Sequence, residues 1–496
     1  MRKILWFLFV VAAIQVSAQT IPCFDPNSRD YNKSNRTETK ICVEYLLEDL
    51  EELEEKLLTV HPDPFAYCGK EKFDSAYTKA FSYYTEGRTM IEHAQNLNRF
   101  IQVVEDSHLQ TYVFGLLHDV CARESGFLPL FIQPIQGKYY IEKDYIQGPP
   151  LGSEILSIGK LSMVELHSLA KKWCMDEGNA MNASEEAAGN YYIPAQFFAN
   201  PTQKAGYHEM VKYSFNNRID SVPIALVNYK ELRLHLKNYF KSTKTNIQST
   251  FLLKEKKAIL KINSFAPKPF HNDYKKIWKF FKKTKELGIH DIAIDVRNNP
   301  GGSSALVEYV CSFLFRAGLN TPNNIIWKTS DYSYKLLSKF TQKRFPKLIE
   351  RHFSRDNDYY QYYILSQTPK AERDTAFFHI PTVQSRALVY TGKVMLFMNG
   401  NTVSAACDFA QLLQNNERAK LVGTPCNASV SGTWGNTAPI QLYNSGITFA
   451  VPTIRYNYDD TFNYSRTPIL PDLGLVPSVS DLIIGKDTFL EYFLKN

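Results

Sequence analysis

Val394-Met-Leu-Phe-Met-Asn-Gly-Asn-Thr-Val-Ser-Ala-Ala-Cys-Asp-Phe-Ala-Gln-Leu-Leu413 is the stretch on which the fold turns. Val394 to Met398 is an unbroken apolar run of strand length, as in a strand buried on both faces. Asn399-Gly-Asn-Thr402 is turn chemistry. From Ser404 the spacing of Cys407, Leu412 and Leu413, with small Ala405, Ala406 and Ala410, predicts a helix. Strand, sharp turn, serine, helix puts a hydroxyl where free backbone N–H groups and the positive end of a helix dipole can hold a developing oxyanion. A related placement serves nucleophiles in hydrolases of other folds. Serine is also a favoured helix N-cap, and from this stretch alone the cap is the commoner reading.

The neighbouring segments extend an α/β pattern. Upstream come a hairpin-like pair around Phe251-Leu-Leu253 and Lys257 to Asn263, a helix over 271–286, and the strand Asp291 to Val296. The loop Arg297-Asn-Asn-Pro-Gly-Gly-Ser303 and a helix over 304–316 follow. Gly301 and Gly302 let backbone N–H groups approach a ligand closely, although paired glycines are common in turns. Residues 320–392 read as an irregular insertion. Downstream, Lys420 to Thr424 is a strand entering a turn, Gly446 to Tyr456 alternates like one strand, Ile469 to Pro477 is a loop, and Thr488 to Leu494 is a closing helix.

Towards the N-terminus, residues 1–18 carry a short basic start, an apolar run and a small-residue end, the pattern of a cleaved secretory signal. Helical spacing begins at Val43 and continues through stretches 71–84 and 89–105, ending at Glu105-Asp-Ser-His-Leu109. His108 stands at an element end, where catalytic groups often sit, yet a lone histidine is more often structural. Residues 119–250 read as a smaller, β-rich unit. The expected organisation is therefore signal peptide 1–18, helical region 19–118, β-rich region 119–250 and an α/β core 251–496.

Composition bounds the partners. The chain has 496 residues with 44% hydrophobic and 22% charged side chains, an ordinary globular balance. A net charge of +7 is too weak over this length to call for nucleic acid, and the run Lys275 to Lys285 reads as a solvated helix face. After Ala18 no run is apolar for long enough to cross a membrane. Eight cysteines follow the signal; Cys311 and Cys407 read as buried thiols, and Cys23, Cys42, Cys68, Cys121, Cys174 and Cys426 have pairings that spacing does not choose. No Cys-x-x-Cys or His-Glu-x-x-His spacing occurs, so no metal or other cofactor is expected.

Four segments in this order resemble the C-terminal-processing and tricorn-core serine peptidases: Asp106-Ser-His108, Asp295-Val-Arg-Asn-Asn-Pro-Gly-Gly302, Asn401-Thr-Val-Ser-Ala-Ala-Cys-Asp408 and Leu470-Pro-Asp-Leu-Gly-Leu-Val-Pro477. The resemblance spans most of 43–118 and 251–496. It implies an α/β multi-domain chain with a helical N-terminal part, a PDZ-like or cap unit over 119–250 and a crotonase-like ββα core. It makes Ser404 the nucleophile and gives the oxyanion hole to N–H groups of Gly301 or Gly302 and of Ala405. The tail-specific branch uses a lysine about twenty-five residues past the serine; here that position is Ser429, and no lysine occurs from 421 through 485. The tricorn branch uses a histidine preceded by serine, which Ser107-His108 matches. For the acid, Asp472 matches best by position, with Asp459 and Asp460 as further possibilities.

A neutral imidazole suits the chemistry, because it can take the serine proton near pH 7 and return it to a leaving amine. The resulting expectation is an exported, periplasmic or secreted serine peptidase acting on polypeptides through an acyl-enzyme. The alternative is a peptide- or ligand-binding protein on the same scaffold, since fold does not fix function; an esterase using the same Ser404 and His108 is a third. Cys407 falls one helical turn beyond Ser404, but its apolar setting makes an inert thiol.

Overall fold

The computed structural model describes residues 23–33, 35–143, 148–179, 183–240, 245–266, 272–316, 324–327, 374–377, 388–458 and 463–496. The expected signal peptide lies outside these residues, as do Asp459, Asp460 and most of the insertion 320–392.

The stretch around Ser404 belongs to a six-stranded sheet in the order Ile247–Leu252, Lys257–Ile262, Asp291–Asp295, Lys393–Met398, Lys420–Gly423, Leu473–Gly474. The first pair is an antiparallel hairpin and the remaining pairs are parallel. Parallel neighbours require crossovers, and the helices Asp273–Glu286 and Ser304–Cys311 occupy them. The helix Ala405–Asn415 follows the fourth strand. Side chains alternate in direction along a strand. Ile292, Ile294, Val394, Leu396 and Met398 accordingly join Ile277, Phe281, Leu306, Val310 and Phe409 in one core under these three helices. Ala293, Phe397 and Val422 point to the opposite face, which Phe489 and Phe493 of the helix Thr488–Lys495 cover.

Most sequence expectations keep their element type with shifted ends; the helix expected over 304–316, for example, closes at Cys311. Two elements differ. The single strand expected from Gly446 to Tyr456 is two, Thr448–Val451 and Ile454–Asn457, in different sheets. Pro452 lies between them; it lacks the N–H a continuing ladder needs. The loop expected at Ile469 to Pro477 contains Leu473–Gly474, which pairs with Val422 and Gly423 at the sheet edge.

The N-terminal helices pack by the leucine spacing that announces them. Leu46, Leu50, Leu53, Leu57 and Val60 of Val43–Val60 are buried together with Leu97, Phe100 and Ile101 of Met90–Ile101. The latter helix starts with a Thr89–Glu92 capping box, and a short 3-10 turn then ends at Glu105 in left-handed backbone. The strand Gln110–Thr111 pairs antiparallel with Phe449–Ala450, so residues of the first quarter of the chain lie in one sheet with residues of the last. Asp49 adds to this docking by accepting the N–H groups of Asn444 and Ser445, each at 2.9 Å.

Within 119–250 an antiparallel sheet runs in the order Arg218–Ala225, His208–Phe215, Glu154–Ile158, Lys138–Ile141, Ile132–Ile135. The helices Met163–Lys171 and Tyr192–Ala199 pack on it, with Leu166, Ala170, Tyr192 and Ala195 in its core. One disulfide joins Cys23 to Cys42; the other six cysteines are thiols, Cys311 and Cys407 fully buried as expected.

Candidate active site

Ser404 has φ 56° and ψ −132°, a conformation that costs a non-glycine residue about 1–3 kcal/mol. Its hydroxyl makes no capping bond, so the capping role is not the one it plays here. The surrounding loop holds it in place. Thr402 Oγ1 accepts the N–H of Asn399 and donates to Val296 O, both at 3.0 Å. Asn298 and Asn399 exchange bonds of 2.9 and 3.0 Å. Val403 N donates to Asn299 O at 3.0 Å, clamping the glycine loop against the serine loop.

The glycines are required by space. A Cβ on Gly301 would lie 2.6 Å from Ser404 Cβ and 2.9 Å from Ala405 N, and one on Gly302 would lie 2.2 Å from Ala266 N. Of the three groups expected to form an oxyanion hole, the Gly301 N–H already donates to Asn299 Oδ1 at 2.9 Å. The N–H groups of Gly302 and Ala405 have no acceptor among the described residues.

Asp106-Ser-His108 forms a tight turn in which Asp106 Oδ1 accepts the His108 N–H at 2.7 Å. Ser107 Oγ is 3.0 Å from His108 Nδ1 and donates to Glu177 Oε2 at 2.9 Å. His108 Nε2 is buried and has no hydrogen-bond partner among the described residues. Glu177 Oε1 accepts from Tyr67 Oη and Arg455 Nη1, both at 3.1 Å. Asp106 Oδ2 faces His61 Nε2 at 2.8 Å. His61 Nδ1 accepts the Asp63 N–H, so His61 donates to Asp106 through Nε2 and is neutral.

Asn427 links the two halves. It pairs with Val403 in a parallel bridge, its N–H donates to Thr402 O at 2.9 Å, and its Oδ1 accepts the Glu177 N–H at 3.2 Å. Glu177, Ser107 and His108 are thereby tied to the residues immediately before Ser404. Asp472 is not drawn into this cluster: it is exposed, and its carboxylate accepts the Leu421 N–H at 2.7 Å on the sheet. The carboxylate bonded to Ser107 comes instead from Glu177, within the 119–250 unit, where the sequence offered only one acid among several in a polar stretch. Ser429, where a branch lysine falls, is buried and bonds Ser431 Oγ at 2.8 Å and Ser465 O at 2.6 Å.

Burial dominates the electrostatics. It raises the Glu177 carboxyl, with Asp106 adding to the rise and Arg455, Ser107 and Tyr67 opposing it. Burial also raises Asp106, against His108 and Arg455. The His108 imidazole is lowered by burial, with Asp106 pulling the other way, so it rests neutral. Cys407 is held well above an ordinary thiol by burial. Asp106, His108 and Glu177 place ligand-type atoms within 4.8 Å of one another. Every carboxylate oxygen among them already accepts a protein donor, and the Arg455 guanidinium repels a dication, so the donor set fits proton handling rather than a metal. Arg297, 2.7 Å from Asp295 and 2.6 Å from Asp487, anchors its loop to the last helix. Asp408 accepts a bond from the buried Tyr458 hydroxyl.

Residues 256–475 match the family model described as peptidase family S41. That segment, somewhat under half of the chain, carries a serine-type peptidase core similar to that family's. Among solved structures, a mutant of CPAF shares the fold of this chain with a TM-score of 0.67 at 18% identity, covering 91% of this chain and 97% of that one. Mature CPAF in complex with lactacystin gives a TM-score of 0.64 at 16% identity, with coverage of 91% and 97%. A sequence search of curated proteins finds no match. Among the described residues no helix is long and apolar enough to cross a membrane.

Proposed function

We propose that this chain is an S41-type peptidase that hydrolyses peptide bonds through an acyl-enzyme on Ser404, with His108 Nε2 as general base. The observation that carries the reading is the strained, uncapped Ser404, whose neighbours Gly302 and Ala405 have unspent N–H groups. In the reaction His108 Nε2 takes the hydroxyl proton as Oγ attacks the carbonyl carbon. The oxyanion settles on the N–H groups of Gly302 and Ala405, and the imidazolium then protonates the leaving amine. Water repeats the sequence to release the acyl group. Ser107 and Glu177 orient the imidazole from its Nδ1 side, the part first expected of Asp472. Each oxyanion-hole donor, as proposed for the N–H groups of Gly302 and Ala405, is worth about 10²–10³-fold in rate.

A His-based, tricorn-like assignment rests on the Ser107-His108 turn and on Ser429 standing where the other branch has lysine. The 119–250 unit is read as a cap that supplies Glu177. Export to the periplasm or medium is read from residues 1–18 and agrees with the Cys23–Cys42 disulfide, since such bonds persist in oxidising compartments. The deciding experiment measures hydrolysis of a denatured protein together with fluorophosphonate labelling. Ser404→Ala abolishes both while circular dichroism stays native, and His108→Gln strongly slows both. Undiminished turnover by Ser404→Ala would overturn the proposal, and a wild type that neither turns over substrate nor labels at Ser404 would return the chain to the binding-protein reading.

A further inference from the structure

Arg455 is the buried cation of the cluster. It projects from the strand Ile454–Asn457, and both it and Glu177 are 0% exposed at their 3.1 Å contact. Its remaining donors are engaged as well: Nε with Asn457 Oδ1 at 3.0 Å and Nη2 with Ser431 Oγ at 3.2 Å. The rings of Trp434 and Tyr464 lie 4.8 Å from its guanidinium carbon, which leaves it no room to swing away. The charged and titratable groups facing Glu177 are Arg455, Tyr67, Asp106, His108 and, more distantly, Cys407. His61 lies behind Asp106. Glu105 lies behind Gly178, which donates to its carbonyl, and pairs with Lys72 and Arg466.

A serine hydroxyl has one proton, so the direction of the Glu177–Ser107–His108 chain follows the charge on Glu177. With Glu177 ionised, the Ser107 hydroxyl donates to the carboxylate. Its oxygen then accepts from Nδ1–H of His108, and Nε2 carries a bare lone pair. With Glu177 protonated, the carboxyl can donate to Ser107, and Ser107 donates to Nδ1. The imidazole proton moves to Nε2, where it blocks uptake of a proton from Ser404. Asp106 and Glu177 are two buried acids in one cluster, and like charges that close favour a shared proton unless a cation intervenes. With Arg455 in place and both acids ionised, above the acid limb, the cluster carries one net negative charge, which the His108 imidazolium cancels when it forms.

We propose that Arg455 is a positioning residue: its contact favours the carboxylate form of Glu177, and above the acid limb the Ser107 hydroxyl relays that charge to hold His108 in the tautomer with a bare Nε2. The proposal rests on the peptidase reading above. Its test is the pH dependence of kcat/KM for Arg455→Gln against wild type and Arg455→Lys. Removing one opposite charge beside a carboxylate raises its pKa by about 1–3 units. The acid limb for Arg455→Gln therefore moves up by that amount. Activity drops roughly 10- to 1,000-fold at a fixed pH on the limb, returns towards wild type at alkaline pH, and KM is unchanged. Arg455→Lys restores most of the limb. A uniform loss at every pH, or an unmoved limb, overturns the proposal while leaving Ser404 and His108 in place; activity that survives Ser404→Ala overturns the peptidase reading instead.

Should Arg455→Gln fail to fold, ¹⁵N NMR of ring-labelled histidine in the wild-type chain decides, the His108 signal being identified by its loss in His108→Gln. The expected result is the Nδ1–H tautomer above the acid limb and the Nε2–H tautomer below it. One unchanging tautomer across the limb refutes the relay.

Discussion

Gly301→Ala tests how closely the glycine loop is fitted to Ser404. At φ +89° an alanine is strained in any surroundings, and its Cβ would lie 2.6 Å from Ser404 Cβ, 2.8 Å from Val403 O and 2.9 Å from Ala405 N. Left-handed backbone costs a non-glycine residue about 1–2 kcal/mol. Forcing a methyl into a packed site adds about 1–3 kcal/mol. The expected destabilisation is therefore about 2–5 kcal/mol. Gly446→Ala supplies the control, because its φ is +72° but the nearest atom to a new Cβ is Gln441 Nε2 at 3.7 Å. It pays the backbone term alone, so the difference between the two variants isolates the clash. Relief of that clash pushes Ser404 away, and a 1 Å displacement at a reacting atom costs on the order of 100-fold in rate. Urea denaturation measures the stabilities, and fluorophosphonate labelling of Ser404 measures the rate. If Gly301→Ala labels as fast as Gly446→Ala and melts at the same urea concentration, the claim that the two loops are interlocked is wrong.

Asn427→Ala removes the side-chain bonds to Glu177 and Met175, costs about 1–3 kcal/mol for the groups left unpaired, and lowers kcat more than it raises KM; a change confined to KM would argue against the link. Phe489→Ala uncovers the back of the sheet and costs about 3–5 kcal/mol in urea melts, whereas a loss under 1 kcal/mol would mean the last helix is not packed as described. Cys407, fully buried with its thiol pKa raised, stays unalkylated by iodoacetamide until the chain is unfolded; peptide mass spectrometry showing its rapid modification in the native protein would contradict its burial. Raised carboxyls make the folded chain bind more protons than the unfolded one from the ordinary carboxylate range up to the raised value. The wild type should thus lose stability relative to Glu177→Gln as pH climbs through that window, and a widening advantage for the wild type would reverse the sign.

The parts of the site that rest on local pattern were legible from the residues. Val394 to Met398, the Asn399 to Thr402 turn and the Ala405 helix form one continuous signal, and Ser107-His108 stands at a recognisable helix end. Glu177 was not legible. It follows a helix by several residues, shares its stretch with other acids, and reaches Ser107 only because Asn427 and Gly178 fix its backbone. Arg455 reads as an ordinary strand residue until the rings of Trp434 and Tyr464 are seen around it. The two-residue strand Leu473–Gly474 is too short to have a period, and its pairing with Val422 and Gly423 exists only in three dimensions.

The pairing of Gln110–Thr111 with Phe449–Ala450 has a consequence for the life of the enzyme before it is finished. The proposed base and nucleophile, His108 and Ser404, are far apart in the translated message, so on that proposal a chain still emerging from the ribosome holds a histidine with nothing to activate. On the proposed assignment, neither half can digest its neighbours, or itself, until the late strands arrive and close over the early helices. Under that assignment the order of synthesis would act as a safety catch, released only by completed folding.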